Sequence, residues 1–167
     1  MNKFFISDLH LGHSNIINFT DENGKHLRPF DSLEEMHETI KDRWNSVVQK
    51  KDTVYVLGDV FFGSKWIPFF KSFKGNKILI RGNHDSLSNE TLKECFGSIH
   101  AMKQVENCIL THIPVHPSCL GHRWLYNIHG HVHSHSLPDI RYINVSCETV
   151  DYTPISWENM IFNREEN

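Results

Sequence analysis

The sequence predicts an α/β fold built around two β-sheets. Over the first half of the chain, strand-like apolar runs alternate with helical patterns in the order βαβαβ, which favours a parallel sheet with right-handed crossovers. The second half contains four more strand-like runs with less helix between them, and these predict a second sheet. A length of 167 residues fits one domain that spans residues 1–167.

The first predicted elements lead into a long amphipathic helix. Residues 4–6 form an apolar strand, residues 13–19 a short helix, and residues 20–30 an exposed loop with a glycine and a proline. Ser32 and Glu35 then have the spacing of a capping box. Apolar side chains recur at helical intervals after this cap and predict a packing helix with the stripe Leu33, Met36, Ile40, Trp44, Val47 and Val48.

Shorter elements follow this helix. Residues 52–58 predict a strand and a turn, and residues 77–80 predict another strand. Between them, residues 64–73 predict a helix whose start or continuity Pro68 disturbs. After a short helix over residues 89–96, four apolar runs predict the strands of the second sheet, namely residues 99–102, 105–110, 125–128 and 142–145.

The carboxyl-terminal segment predicts one more helix. Residues 156–161 have a helical pattern with Ser156 as the cap. Residues 163–167 are expected to be mobile. No repeat and no low-complexity linker divides the chain, which agrees with a single domain.

Composition and charge argue against several classes of protein. The formal net charge is −3 and the basic residues are scattered, which disfavours a dedicated nucleic-acid-binding surface. No apolar stretch approaches membrane-spanning length, and Met1 runs straight into a strand without a leader pattern. We therefore expect a cytoplasmic protein without a membrane partner. The four cysteines lack the paired spacing of a zinc site and are expected to be reduced and mostly buried.

Five clusters of metal-binding side chains directly follow five of the strand-like runs. In an open α/β sheet the ligand crevice lies outside the carboxyl ends of the strands. We therefore expect the clusters to meet in one cleft that holds aspartates, an asparagine and several imidazoles. In chain order the clusters contain Asp8 and His10, then Asp59, then Asn83, His84 and Asp85, then His112, and finally His131 and His133.

The chemistry of these side chains points to transition metals. Carboxylate and imidazole ligands without a thiolate suit Mn, Fe, Zn, Ni or Co better than Ca or Mg. Residues two apart on an extended strand end point to the same side, so Asp8 and His10 can chelate one ion. The same holds for His131 and His133. Asp59 has two carboxylate oxygens and can bridge two ions.

The order of these motifs resembles that of the calcineurin-like metallophosphoesterase superfamily. The resemblance implies a four-layer α/β/β/α fold, in which helices flank a two-sheet β-sandwich. The family pattern of DxH, GDxx, GNHD, a lone histidine and GHxH is matched in order by Asp8/His10, Gly58/Asp59, residues 82–85, His112 and Gly130/His131/His133.

The resemblance also implies a role for each motif residue. His84 would approach the substrate phosphate without binding metal, and Asp85 would orient the His84 imidazole. Two divalent ions are implied, with Mn as the favoured metal and Fe, Ni, Zn or Co as alternatives. The first ion would be held by Asp8, His10, Asp59 and His133. The second would be held by Asp59, Asn83, His112 and His131, so that Asp59 bridges the pair.

Closer similarity is to the small single-domain phosphoesterases of bacteria and phages. It rests on residues 8–16, 28–30, 80–85 and 152–155. Purple acid phosphatases place a tyrosine ligand three residues after the bridging aspartate, whereas Phe62 stands at that position here. A tyrosinate-bound ferric site is therefore not predicted.

Three further residues are candidates for binding substrate. His13, Asn15 and Arg28 lie in segments expected near the mouth of the cleft, where they can bind the phosphate or its leaving group. Solvated loop residues are the alternative interpretation of these positions, and the sequence leaves both open.

The predicted activity is metal-dependent hydrolysis of phosphate esters. Two divalent ions about 3.5 to 4 Å apart bring a bridging water toward hydroxide and clamp the attacking and leaving oxygens. Phosphodiesters or nucleotides, including short nucleic acids, are favoured as substrates because the short chain has no room for a large recruiting domain. A phosphomonoesterase, including one like a protein phosphatase, and a non-catalytic metal-binding scaffold for a protein partner are the alternatives.

Overall fold

Two β-sheets form the centre of the fold in the computed structural model, which describes residues 1–21 and 23–160. The first sheet contains β1 (Lys3–Ile6), β2 (Thr53–Val56), β3 (Asn76–Ile80), β4 (Ser98–His100) and β9 (Ile155–Ser156), in the order β4-β3-β2-β1-β9. The second sheet contains β5 (Lys103–Val105), β6 (Cys108–Leu110), β7 (Tyr126–His129) and β8 (Tyr142–Asn144), in the order β5-β6-β7-β8.

Most strand pairs are parallel, which collects their carboxyl ends at one edge of each sheet. Strands β1 to β4 are mutually parallel, and so are β6, β7 and β8. Only β9 and β5 run antiparallel to their neighbours among the described strands. The two sheets join at this edge, because the Ser7 amide donates to Val145 O at 2.8 Å and the Cys147 amide donates to Ser7 O at 3.0 Å.

Successive side chains along the strands of the first sheet point alternately into two hydrophobic cores. In β1, Phe4 and Ile6 pack toward the helices, whereas Phe5 packs toward the second sheet. The helices that cover the first sheet are α1 (Leu33–Val47), α2 (Ile67–Phe70) and α3 (Asn89–Leu92). On the far side of the second sheet, a smaller apolar cluster lies near a 3₁₀ helix at Pro117–Cys119. The predicted α/β fold with two packed sheets flanked by helices is confirmed.

The long helix begins where the capping pattern predicts. Ser32 Oγ accepts a hydrogen bond from the Glu35 amide at 3.1 Å, while the Glu35 carboxylate accepts the Asp31 amide instead of the Ser32 amide. Trp44 lies fully buried against Phe73 at a ring-centroid distance of 5.3 Å. Val47, the last helical residue of the predicted stripe, lies at the carboxyl end of α1 and is 37% exposed.

Two predictions about the later strands are wrong. Residues 99–102 were expected in the second sheet, but β4 pairs in parallel with β3 and extends the first sheet. Residues 105–110 were expected to form one strand, whereas they form an antiparallel hairpin of β5 and β6. The chain turns at Glu106, whose φ of 50° is left-handed and incompatible with a continuous strand. Strand membership depends on long-range pairing that a local apolar pattern does not encode.

The predicted short helices are present but shorter. Residues 13–19 contain a 3₁₀ helix at Ile16–Asn18. Residues 64–73 contain a 3₁₀ turn at Ser64–Trp66 followed by α2, where Pro68 occupies the first turn and needs no amide partner. Residues 157–160 are helical, and Ser156 Oγ accepts the Asn159 amide at 3.2 Å. Residue 161 and residues 163–167 lie outside the described part of the chain.

In residues 1–21 and 23–160, no helix has both the length and the apolar character needed to cross a membrane.

A buried histidine gives the fold a predicted pH dependence. His37 of α1 is 2% exposed, and its Nε2 accepts the Gly12 amide at 3.0 Å, behind the segment that follows β1. Burial lowers the pKa of His37 from its ordinary value of 6.5 to about 4. The unfolded chain therefore binds a proton that the folded chain excludes, so stability is lost as the pH falls from 6.5 toward 4.

The His37→Gln variant tests this assignment, because a glutamine amide oxygen can still accept the Gly12 amide but takes up no proton. We expect the wild-type protein to lose about 2 kcal/mol more free energy of unfolding than the variant between roughly pH 7 and pH 5. Urea titrations of chelator-treated protein at both pH values measure the difference. Equal pH dependence in the two proteins would show that His37 titrates normally.

Candidate metal centre

The side chains that follow the parallel strands meet in one cleft. Two groups of three residues each place one ligand atom per residue within 4.8 Å of the others. Both groups join residues that are more than 70 positions apart in the sequence, as expected when parallel strands end at one edge. The first group is Asp8, His10 and His133, and the second is Asp59, His112 and His131.

The first group contains two buried side-chain atoms that have no hydrogen-bond partner. Asp8 Oδ2 accepts the His131 amide at 2.9 Å and the Ser146 hydroxyl at 3.0 Å, but Asp8 Oδ1 has no hydrogen-bond partner. His10 Nε2, also buried and unpartnered, lies 3.7 Å from Asp8 Oδ1. Unpaired buried acceptors are costly unless a cation satisfies them. The donor set therefore fits a divalent ion.

The ionisation states of Asp8 and His10 suit metal binding. Burial raises the pKa of Asp8, but the neighbouring imidazoles of His10, His112 and His133 more than offset this effect and hold that pKa well below its usual range. Burial lowers the pKa of His10. Asp8 is thus a carboxylate and His10 a neutral imidazole at neutral pH, which are the forms that bind metal.

Asp59 stands between the two groups. Its Oδ1 accepts the His84 amide at 2.8 Å. Its Oδ2 faces His112 Nε2 at 3.3 Å and His10 Nε2 at 3.9 Å. One carboxylate oxygen therefore faces a histidine of each group, which is the placement that a bridging ligand requires.

When the His112 ring is neutral, the second group contains acceptor atoms that share no proton. His112 Nδ1 lies 2.6 Å from Leu57 O, a carbonyl that can only accept, so Nδ1 is the donor and a neutral ring leaves its lone pair on Nε2. His112 Nε2 lies 2.9 Å from Asn83 Oδ1 as well as near Asp59 Oδ2. Burial lowers the pKa of His112, but Asp59 and Asp8 more than offset this and raise it. A cation at this point satisfies all three acceptors.

Five of the seven predicted ligand residues have a left-handed backbone. Eight non-glycine residues have positive φ in the described chain, and five of them are predicted ligands. Such conformations are unfavourable for most side chains and concentrate at functional sites, where the surrounding structure maintains them. The five are Asp8, His10, Asp59, His131 and His133, with φ between 51° and 72°.

Glycines allow the ligand loops to approach each other. A Cβ on Gly82 would lie 2.3 Å from Asp59 Oδ1, and a Cβ on Gly130 would lie 2.0 Å from Ser7 Oγ and 2.3 Å from Asp8 Oδ2. No side chain fits at such distances without moving a predicted metal ligand. The two glycines therefore serve the site rather than only the turns.

His84 lies at the mouth of the cleft. It is exposed, with its ring 5.4 Å from the Phe62 ring and 6.1 Å from the His10 ring. Its amide is fixed by Asp59 Oδ1.

Asp85 makes different contacts from those that the resemblance implies. Its carboxylate accepts the amides of Asp59, Val60 and Gly82 at 2.8 to 3.0 Å and makes no hydrogen bond to the His84 imidazole. These three amides lie at turns after β2 and β3 and would otherwise lack acceptors. Asp85 therefore ties the two turns together, and the expectation that it orients the His84 ring is corrected.

Of the three residues proposed from sequence to bind substrate, two lie at the surface. His13 stacks on Phe62 at a ring-centroid distance of 4.2 Å, and its Nδ1 lies 3.2 Å from His10 Nδ1. Asn15 is exposed at the start of the 3₁₀ helix and makes no capping hydrogen bond there.

Arg28 is not accessible to a substrate. It is fully buried, and its guanidinium donates to Asp8 O, Leu9 O and Glu148 Oε1. The expected substrate contact is corrected, because the loop that carries Arg28 folds inward behind the first group. Glu148, which the sequence analysis missed, also lies 3.0 Å from His133 Nδ1. Its only signal in the sequence was a charged residue soon after an apolar strand.

Comparison with known proteins identifies the family of this chain. The sequence matches the model for calcineurin-like phosphoesterases over residues 1–166. It is 32% identical over 170 aligned positions to an uncharacterized protein of Methanocaldococcus jannaschii, covering 95% of this chain and 88% of that protein. A gene 66 protein of Mycobacterium phage L5 is 39% identical over 92 positions, which cover 50% of this chain and 40% of the phage protein.

A solved structure has the same fold. The crystal structure of a protein of unknown function from Aquifex aeolicus superposes with a TM-score of 0.75 at 30% sequence identity. The match covers 97% of this chain and 98% of the Aquifex protein. The family match and the two groups of candidate ligands together support a metal-dependent phosphoesterase.

The Gly82→Ala variant tests the close packing of the cleft. Since the added methyl meets Asp59 Oδ1, we expect a loss of about 1 to 3 kcal/mol in the free energy of unfolding, together with weaker binding of Mn. Chemical denaturation and Mn titration measure the two effects. Gly97→Ala is the matched control, because a Cβ there has its nearest contact at 3.8 Å. Equal behaviour of the two variants would contradict the packing argument.

Proposed function

We propose that this chain, which belongs to the calcineurin-like phosphoesterase family, hydrolyses phosphate esters with two divalent metal ions bound in the cleft. The observation that carries the proposal is the position of Asp59 Oδ2, which faces His10 of one candidate group and His112 of the other. Unrelated polar turns are not expected to bring two imidazole nitrogens from different loops next to one shared carboxylate oxygen.

The proposed ligands are those that the family resemblance implies, and the two groups of neighbouring ligand atoms support them. Asp8, His10, Asp59 and His133 would hold the first ion, and Asp59, Asn83, His112 and His131 the second. Such ions, when bound, supply Lewis acidity toward phosphoryl oxygens and lower the pKa of coordinated water. Mn is the favoured metal, and Fe, Ni, Zn and Co suit the same nitrogen and oxygen donors.

His84 is the proposed catalytic residue of the protein itself. Its exposed imidazole stands at the mouth of the cleft while its backbone is fixed to Asp59. From there it can donate a proton to the leaving oxygen or a hydrogen bond to a phosphoryl oxygen. Asp85 positions the turn that carries His84 through the Gly82 and Asp59 amides. His13 and Asn15 remain the proposed substrate contacts at the rim.

Phosphodiesters or nucleotides are the proposed substrates. A recess of about 340 Å³ beside the second group is lined by Asn83, His112 and the half-exposed Ile113. Arg81 also borders it, but the guanidinium donates to Asp85 O, Asn89 Oδ1 and Leu87 O. With both Arg28 and Arg81 engaged internally, a singly charged diester suits this cleft better than a doubly charged monoester.

Hydrolysis assays on metal-stripped protein refilled with Mn test the proposal. We expect bis(p-nitrophenyl) phosphate to be cleaved faster than p-nitrophenyl phosphate. His84→Ala should lower kcat by about 10² to 10⁴, as for loss of a general acid, without loss of bound Mn. Asp59→Asn should lower both turnover and Mn content, because the bridging charge is removed.

Asp139→Asn provides the matched control, since Asp139 is a carboxylate paired with Arg141 away from the cleft groups. It should retain the activity of the wild-type protein. Unchanged turnover in both His84→Ala and Asp59→Asn would refute the assigned roles. Faster cleavage of the monoester would favour a phosphomonoesterase, and Mn binding without any turnover would favour a scaffold.

A further inference from the structure

A buried ion pair lies behind the first group of candidate ligands. Arg28 is fully buried, and its Nε donates to Glu148 Oε1 at 2.7 Å. The Glu148 side chain is 4% exposed. The two residues come from the loop before α1 and the segment after β8. Glu148 lies outside the motifs that resemble the family, whereas Arg28 begins the segment 28–30 that resembles the small bacterial and phage phosphoesterases. Burying two charges is costly unless their mutual attraction and further hydrogen bonds offset the loss of hydration.

Arg28 holds the backbone of the first ligand segment. Its two terminal nitrogens donate to Asp8 O and Leu9 O. These carbonyls lie between the side chains of Asp8 and His10, and both of these residues have left-handed φ values, 59° and 51°. A planar guanidinium can serve both carbonyls and a carboxylate at once, which a lysine ammonium on a flexible stem cannot reproduce.

Glu148 holds the other ligand of the same group. Its Oε1 lies 3.0 Å from His133 Nδ1. An ionised carboxylate can only accept, so His133 Nδ1 is the donor and the neutral ring keeps its lone pair on Nε2. Glu148 Oε2 is buried without a hydrogen-bond partner. Oε1 therefore receives both the Arg28 and the His133 hydrogen bonds and links the two.

The second group is oriented in a different way. His112 Nδ1 faces the backbone carbonyl Leu57 O at 2.6 Å, and no carboxylate takes part in that contact. Leu57 directly follows β2 and its amide donates to Ile6 O, so its carbonyl needs no side-chain pair to position it. The affinities of the two groups should thus respond differently to changes at Glu148.

We infer that Arg28 and Glu148 are positioning residues that set the affinity of the first group for its metal ion and leave the second group unaffected. The inference rests on the proposed function. Glu148 fixes the tautomer and orientation of His133 and increases the basicity of its Nε2, while Arg28 fixes the Asp8–His10 backbone and holds Glu148 in place. Hydrogen bonds to metal ligands from residues that do not bind the metal themselves change the metal affinity by about tenfold to a hundredfold.

Calorimetric titration of metal-free protein with Mn, with Mn content per chain from elemental analysis, tests the inference without reference to activity. For Glu148→Gln, which keeps the side-chain shape and removes the charge, we expect one of the two Mn affinities to fall about tenfold and the other to stay within about threefold. Glu148→Ala should weaken the same affinity further, and Arg28→Lys should weaken it as well. Asp139→Asn, another carboxylate paired with an arginine, should leave both affinities unchanged.

The outcomes separate this inference from the proposed function. If wild-type protein binds two ions and Glu148→Gln retains both affinities, the positioning role is overturned while the proposed function stands. An equal fall in both affinities also overturns it, because the effect would then not be specific to the first group. Wild-type protein that binds no Mn would overturn the proposed function and the inference together. Near-ultraviolet circular dichroism of each metal-free variant establishes that it is folded, and Glu148→Gln decides the matter if Glu148→Ala does not fold.

Discussion

Electrostatic repulsion among acceptor atoms is the constraint on which the site depends. Asp59 Oδ2 and Asn83 Oδ1 both lie close to His112 Nε2, at 3.3 and 2.9 Å, and in the neutral ring the proton of His112 is committed to Leu57 O. Nearby, Asp8 Oδ1 and His10 Nε2 are buried and unpartnered. Such an arrangement is stable when positive charge lies between the acceptors, and the rest of the cleft can be understood as the structure that maintains it.

The fold maintains this arrangement with backbone conformations and close contacts that are unfavourable in most other parts of a protein. Parallel strands bring five loops to one edge, and the Ser7 bridge to the second sheet brings Asp8 next to residues 130–133. Left-handed backbone at the ligand residues and glycines at 82 and 130 permit the loops to pack closely. Asp85 satisfies the amides of two of these turns. The local strain is offset by the cooperative packing of both sheets around it.

Much of the site could be predicted from the sequence because its residues follow strands immediately. The end of a strand can be recognised from the residues around it. Side chains two residues apart on a strand point to the same side, which shows which neighbours can chelate one ion. The amphipathic helix α1 was predictable for the same reason, since Ser32 and the stripe through Ile40 and Trp44 lie within one segment. The family resemblance supplied the proposed division of ligands between two ions, which spacing alone does not provide.

The errors concern contacts between distant segments. Nothing local indicates that β4 pairs with β3, or that Glu106 turns the chain between β5 and β6. Arg28 was expected near the mouth of the cleft because it lies in the predicted exposed loop of residues 20–30, whereas its partner Glu148 lies 120 positions away in the sequence. Asp85 was expected to orient the ring of His84, its neighbour in the motif. Its carboxylate instead accepts hydrogen bonds from three backbone amides that would otherwise lack acceptors.

A crystal structure grown with excess Mn, with anomalous scattering to locate the ions, tests the central claim most directly. The account predicts two Mn ions about 3.5 to 4 Å apart, with an oxygen of Asp59 bound to both, His10 and His133 on one ion, and His112 and His131 on the other. A cleft that binds no Mn, or a single ion that leaves Asp59 uncoordinated, would contradict it.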